Sequence, residues 1–235
     1  AGALNMWYEA DLDKLMTRTC LRPIPTGKIN KEHALIFGIV LSIISIYGLY
    51  YLSNFLSSFL LFITIAFYLF VYTIWLKRKT SQNIVIGGAA GAFPPVIGWV
   101  CSANDISFFP VLLFCIIFFW TPPHFWALAL YKDIEYSKAN VPMLPVVKGK
   151  RVTKNQIMIY AIVLFLVSLL PYILSYSGLF YLSSALILNI YFCYLSFRLL
   201  RSNDSKHSGF APKLFKFSIL YLYLMFSSLV VDSLF

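Results

Sequence analysis

The amino-acid sequence predicts an all-α polytopic membrane protein. Three observations lead there: an extreme apolar composition, seven apolar runs of spanning length, and basic residues that fall on one side only. Of 235 residues, 60% are hydrophobic and only 12% charged, against about 25% charged in soluble domains. The mean hydropathy is +0.78. A soluble core cannot hide this much apolar surface, whereas a bilayer solvates it.

The runs are taken in chain order. A helix rises about 1.5 Å per residue, so about 20 apolar residues cross the hydrocarbon layer. Runs at 33–52, 55–76, 84–101, 107–130, 156–175, 178–199 and 214–235 meet or approach this length. The first ends at Tyr50 and Tyr51, the second at Trp75, the third near Trp99, the fourth at Tyr131 and the fifth at Tyr176. Such aromatic residues mark the membrane–water interface. The third run carries Gly87, Gly88, Gly91, Pro94 and Pro95. Small residues suit close helix packing, and neighbouring helices can re-satisfy the backbone groups that proline frees. In the fourth run, Pro122 and Pro123 predict a kink that opens a pocket. Residues 1–16 are expected to be helical. The chain begins Ala-Gly-Ala-Leu, with neither Met nor a basic leader. It reads as the end of a helix, with one to two further N-terminal helices expected ahead of it. Cys20, Cys101, Cys115 and Cys193 form no CxxC pair, so neither a disulfide nor a zinc site is expected.

All nineteen Lys and Arg residues fall in segments 14–31, 77–79, 132–154 and 198–216. The connections at 53–54, 102–106 and 176–177 contain none. Seven spans alternate sides, and the charge alternates with them. By the positive-inside rule the basic loops face the cytoplasm or the matrix of an organelle. These loops are also the longer ones, so chemistry is expected there.

Four clusters lie on that face. In the first, Asn5, Glu9 and Asp13 recur every fourth residue and share one side of a helix. Three oxygen-bearing side chains suit Mg²⁺, which takes one or two carboxylates and completes its shell with water and phosphate. Arg18 and Arg22 follow, and guanidinium groups pair with phosphate oxygens. The competing reading is a solvated helix end of mixed charge. The second cluster is Lys77-Arg78-Lys79, a basic stop that also suits phosphate contact. The third is Trp120-Thr-Pro-Pro-His124-Phe-Trp126. A histidine in an apolar run suggests proton transfer or iron ligation; its competing reading is a hydrogen-bonded packing residue. The fourth contains Asp133 and Glu135. Two acidic clusters on one cavity would hold two metal ions and bracket a diphosphate.

Asn5–Pro23, Tyr72–Trp99, Trp120–Leu130 and Val141–Val147, in this order, resemble the heme O synthase (protoheme IX farnesyltransferase) branch of the UbiA-type intramembrane prenyltransferases. The similarity covers nearly the whole chain. The family pattern Asn-x3-Asp-x3-Asp falls on Asn5, Glu9 and Asp13, with Glu in the middle place. The second motif, Asp-x3-Asp, is not intact, and Asp133 and Glu135 are the acids present.

The resemblance implies a UbiA-like helical bundle of about nine helices, seven of them visible here, forming one transmembrane prenyltransferase domain over 1–235. It implies farnesyl transfer from farnesyl diphosphate to a vinyl group of heme b, with water addition, giving heme O for terminal oxidase assembly. Mg²⁺ would sit on Asn5, Glu9 and Asp13, with Asp133 and Glu135 for a second ion. Arg18, Arg22, Lys77 and Arg78 would clamp the diphosphate, and His124 would contact heme. Trp7, Tyr8, Phe125 and Trp126 would shield an allylic cation. The implied setting is a bacterial inner membrane or the mitochondrial inner membrane. The implied partners are heme A synthase or oxidase assembly proteins, and no nucleic acid. A quinone-precursor acid or a chlorophyllide is the alternative acceptor. A transporter is the alternative class, for which broken or charged mid-membrane positions are expected.

Overall fold

The computed structural model describes residues 1–138, 141–202 and 209–234, without the side chains of 133, 135 and 138. Among the described residues every regular element is helical. Among these residues seven helical spans are long and apolar enough to cross a membrane, the number read from the sequence. The chain divides into two compact units.

The first unit comprises Ala1–Ile106 and Asp133–Met143. It contains α1 (Gly2–Tyr8), α2 (Ala10–Asp13), α3 (Lys31–Leu52), and α4 (Phe55–Ala66) running into a π-helical stretch (Phe67–Leu76). α5 (Asn83–Ala92), α6 (Pro94–Ala103) and the short α8 (Asp133–Lys138) complete it. Asn54 builds the turn between α3 and α4. Its carbonyl oxygen accepts from the Ser57 amide at 2.8 Å, and its Nδ2 donates to the Val100 carbonyl at 2.7 Å. One residue therefore caps a helix and ties the turn to α6. The span 84–101 is broken at Phe93 because Pro94 and Pro95 cannot donate to the preceding turn; helix restarts with them in its first turn.

Two glycines mark close approaches. A Cβ on Gly38 would lie 2.6 Å from Leu4 Cδ2, which lets α1 pack on α3. A Cβ on Gly87 would overlap the Tyr72 ring, so α5 lies against the π-helical stretch. Gly91, expected to serve packing, instead faces open space. Most of α3 and α4 is exposed apolar surface, from Ile36 to Phe62. In water that would be untenable, but toward lipid tails it is the solvated face.

The second unit comprises Ser107–Lys132 and Leu144–Phe235. It contains α7 (Phe108–Tyr131), α9 (Leu144–Val147), α10 (Gly149–Ile173), α11 (Leu179–Arg201) and α12 (Phe210–Asp232). α7 packs on α10, α10 on α11, α11 on α12 and α12 back on α7, closing a four-helix ring. α7 continues unbroken through Pro122 and Pro123, both buried. α10 begins seven residues before the apolar run that predicts it. Its first turns carry Lys150, Arg151 and Lys154, which long side chains permit by reaching from helix to interface. Lys154 is instead buried and donates to the Ser202 carbonyl at 2.9 Å.

Candidate active site

α1 and α2 are not the single helix expected over 1–16. Glu9 sits between them with φ −97° and ψ 17°. The turn-to-turn bonds nevertheless persist. The Glu9 amide donates to Asn5 O at 2.9 Å and the Asp13 amide to Glu9 O at 2.8 Å. The backbone register that aligns Asn5, Glu9 and Asp13 thus survives, and all three are buried, Glu9 to 1% exposure.

Burying carboxylates requires cations or donors, and the structure supplies one cation for each acid. Lys77, just past the π-helical stretch, pairs its ammonium with Glu9 Oε2. Arg22 Nη1 bridges both oxygens of Asp13, at 3.0 and 2.9 Å. On the exposed side, Arg78 grips Asp11 in a two-pronged pair of 3.1 and 2.9 Å. The Arg78 hydrogen bonds hold the Asp11 carboxyl below the usual carboxylate range, against a smaller opposing effect of burial. The same bonds raise Arg78 further above its ordinary value. Asn5 Nδ2 donates to Glu9 Oε2 at 2.8 Å and to Thr73 Oγ1 at 3.3 Å. Thr73 in turn donates to the Tyr68 carbonyl five residues back, a π-helical spacing. Arg18 is exposed on the same unit.

Glu9 Oε1 is buried with no hydrogen-bond partner. An orphaned carboxylate oxygen beside an asparagine and a second buried carboxylate fits a hard, oxygen-seeking divalent cation. Among the described residues no three His, Cys, Asp or Glu side chains gather as a metal cage. The fit therefore rests on two carboxylates and one amide. The backbone of Asp133 and Glu135 belongs to α8 in this unit. Their side chains lie outside the described residues.

His124 belongs to the second unit. Its ring is stacked on Trp120 at 4.3 Å and on Phe215 at 4.7 Å. Nδ1 lies 2.6 Å from Ser218 Oγ, whose own hydrogen goes to the Phe215 carbonyl at 2.6 Å. Trp126 is wholly buried, with its ring edge-on to Tyr160. In the first unit Trp7 and Tyr8 already meet cations, Lys31 at 5.8 Å and Arg78 at 5.6 Å. Sequence reasoning missed Thr73 and Asn83, two wholly buried polar residues beside this site. A polar residue near a basic helix end was the available signal.

The sequence profile of the UbiA prenyltransferase family matches residues 1–220. The chain belongs to the UbiA prenyltransferase family. Protoheme IX farnesyltransferase of Pelagibacter ubique (strain HTCC1062) is 55% identical over 235 residues, covering 100% of this chain and 78% of that protein. Protoheme IX farnesyltransferase of Acidiphilium cryptum (strain JF-5) is 51% identical, covering 100% of this chain and 76% of that protein. Among solved structures, one reported for digeranylgeranylglyceryl phosphate synthase in membranes superposes with a TM-score of 0.79 at 22% identity, covering 98% of this chain and 79% of the other. A UbiA homolog from Archaeoglobus fulgidus bound to GPP and Mg2+ superposes with a TM-score of 0.62 at 13% identity, covering 97% of this chain and 82% of the other. These structures establish the fold. This chain is thus an integral membrane protein of the family, and its motif Asn5, Glu9, Asp13 lies within the matched region.

Proposed function

We propose that this UbiA-family chain transfers the farnesyl group of farnesyl diphosphate to a vinyl carbon of heme b, with addition of water, giving heme O. The observation that carries the reading is the buried set of Glu9 and Asp13, each paired to a basic side chain, with Glu9 Oε1 unmatched. The names of the relatives support the acceptor and the prenyl group.

The allylic C1–O bond breaks and diphosphate leaves with the electron pair. Arg18, Arg22, Lys77 and Arg78 bind and neutralise the departing oxygens. Asn5, Glu9 and Asp13 would hold Mg²⁺, which supplies Lewis-acid neutralisation of the same phosphate when bound. Asp133 and Glu135 are proposed for a second ion. The vinyl π pair of heme b forms the new carbon–carbon bond at C1, and the positive charge passes to the carbon beside the porphyrin. Water adds there and releases a proton. Trp7 and Tyr8 offer ring faces to the cationic carbon. His124, in the second unit, is proposed to contact heme, as iron ligand or as propionate or proton partner.

The acids and the basic groups now hold one another. Diphosphate competes for the basic groups, and a metal cation competes for the acids, so each makes room for the other and no buried charge is left alone. The basic loops support a site on the cytoplasmic or matrix side of a bacterial or mitochondrial inner membrane. Heme A synthase and oxidase assembly proteins are the proposed partners.

The test is incubation of the protein in membranes with heme b, farnesyl diphosphate and Mg²⁺, followed by mass spectrometry of the extracted hemes. A farnesylated, hydrated heme is expected, absent from Asp13→Ala and absent after chelation. Farnesyl on an added aromatic acid, with heme b unchanged, overturns the acceptor. No metal-dependent use of farnesyl diphosphate overturns the reaction.

A further inference from the structure

Asn83 opens α5 and is wholly buried. Its Nδ2 donates to the Lys77 carbonyl at 2.9 Å, and its Oδ1 is buried with no hydrogen-bond partner. The donor must be the nitrogen, because a carbonyl can only accept. A buried amide with half its capacity unmet is a poor packing residue compared with leucine, which shares its branched skeleton. What it secures is one bond, and the recipient is telling. The Lys77 carbonyl belongs to the peptide that joins Lys77 to Arg78. It stands where the π-helical stretch ends, after the last turn-closing bond from the Lys77 amide to Tyr72 O at 2.9 Å. Carbonyls at a helix end lack partners within the helix. From that one peptide two basic side chains diverge, Lys77 to buried Glu9 and Arg78 to Asp11.

We propose that Asn83 is a positioning residue: it pins the peptide between Lys77 and Arg78 and so aims both basic groups at the acid motif and at a bound diphosphate. The proposal rests on the diphosphate reading of those two residues, not on the identity of the acceptor. Without the bond, the junction between the π-helical stretch and α5 can rotate, and the two side chains lose their common origin. Neither would be lost from the site, so the damage should fall on diphosphate affinity and leave the acceptor untouched.

The test measures binding of inorganic diphosphate with Mg²⁺, by calorimetry on the protein in detergent, for Asn83→Leu, Asn83→Asp and Asn83→Gln. Leucine and a carboxylate both remove the donor on the same branched skeleton, while glutamine keeps an amide donor. Leucine also removes the unmet acceptor, so this variant is expected to fold even where Asn83→Asp does not. Asn83→Leu and Asn83→Asp should weaken diphosphate binding roughly tenfold, as loss of one buried hydrogen bond implies. Asn83→Gln should recover most of it. In a chain already carrying Lys77→Met and Arg78→Met, Asn83→Leu should change affinity by less than about twofold. KM for the acceptor should not move in any of them. The same tenfold loss in both backgrounds overturns the proposal, as does an unchanged affinity in Asn83→Leu. If diphosphate binds and responds as described but heme b is not farnesylated, the positioning role stands and the proposed acceptor falls. If diphosphate does not bind the unaltered protein, both fall.

Discussion

The two units bury polar groups in opposite ways. In the second, Tyr181, Ser168, Asn189 and Tyr221 form a neutral network between α10, α11 and α12. Asn189 Nδ2 donates to Ser168 Oγ and to Ala185 O, both at 2.7 Å, while its Oδ1 accepts from Tyr221 at 2.9 Å. Tyr181 donates to Ser168 O at 2.7 Å. Asn189 spends both amide protons and its carbonyl there. In the first unit, by contrast, Glu9 and Asp13 are buried as charges, and Glu9 keeps one oxygen unmatched. A closed neutral network fixes one packing and has nothing to exchange. A set of ion pairs with a spare acceptor can trade partners. The first arrangement suits a scaffold, and the second suits a site that must accept ionic ligands.

Disturbing the acids should have the largest effect. Glu9→Gln and Asp13→Asn are expected to lower farnesyl transfer by about 10²–10³-fold or more, the scale of losing one preorganised electrostatic group. Both variants should remain folded, since the amides keep hydrogen-bonding capacity. Rates of product formation in membranes check this. Activity within about threefold of the unaltered chain would place the chemistry elsewhere.

Lys77→Met sharpens the comparison, because it strands a buried carboxylate. Removing one partner of a buried pair costs about 3–5 kcal/mol. The melting temperature in detergent should fall, and added Mg²⁺ should recover more of it than it adds to the unaltered chain. Binding to the folded state alone raises stability by mass action. An equal effect of Mg²⁺ on both chains would separate Glu9 from the metal.

Asn189→Ala reverses the pattern. It removes one hydrogen-bond partner from the Tyr221 hydroxyl and one from Ser168 Oγ, at a cost of about 1–3 kcal/mol. The melting temperature should drop, while turnover per folded molecule stays near that of the unaltered chain. A large loss of turnover without loss of stability would make the network part of the chemistry.

The sequence made the scaffold legible where physics is one-dimensional. Apolar length and basic loops suffice to count seven spans, because a bilayer imposes both. The exposed Tyr50, Tyr51, Trp75, Trp99, Tyr131 and Tyr176 stand near span ends as their amphipathic rings predict. The four-residue spacing of Asn5, Glu9 and Asp13 was legible for the same reason. The partners were not. Nothing in the spacing indicates that Lys77 turns to Glu9 or Arg78 to Asp11, because those choices depend on a π-helical stretch whose ten residues read as ordinary helix, nor that the turns after Asp13 bring Arg22 back to it. The break at Glu9 was equally hidden, since no Gly or Pro marks it. Asn83 escaped notice because a single asparagine after a basic run reads as a loop residue until its burial is seen.

The Asp11–Arg78 pair should matter least to stability, although its geometry is the most regular of the three. Its members are 64% and 37% exposed in their side chains, so water and salt screen the attraction. Such pairs contribute about 0–1 kcal/mol. Asp11 is held below the ordinary carboxyl value near pH 4. A depressed carboxyl stabilises the fold above the unfolded value and loses that contribution as pH falls through the folded one. Asp11→Asn should therefore shift the melting temperature slightly at neutral pH, and less still in high salt. The difference from the unaltered chain should begin to shrink below about pH 4, the unfolded value, and vanish only below the depressed folded one. Turnover is a separate matter, because Arg78 is also a proposed diphosphate ligand. Freed from Asp11, it is available to the substrate without first giving up a partner. Asp11→Asn is thus expected to lower KM for farnesyl diphosphate, about twofold, where Asp13→Asn is expected to lower turnover by about 10²–10³-fold or more. If Asp11→Asn instead matched Asp13→Asn, the exposed acid would have to be counted with the buried ones.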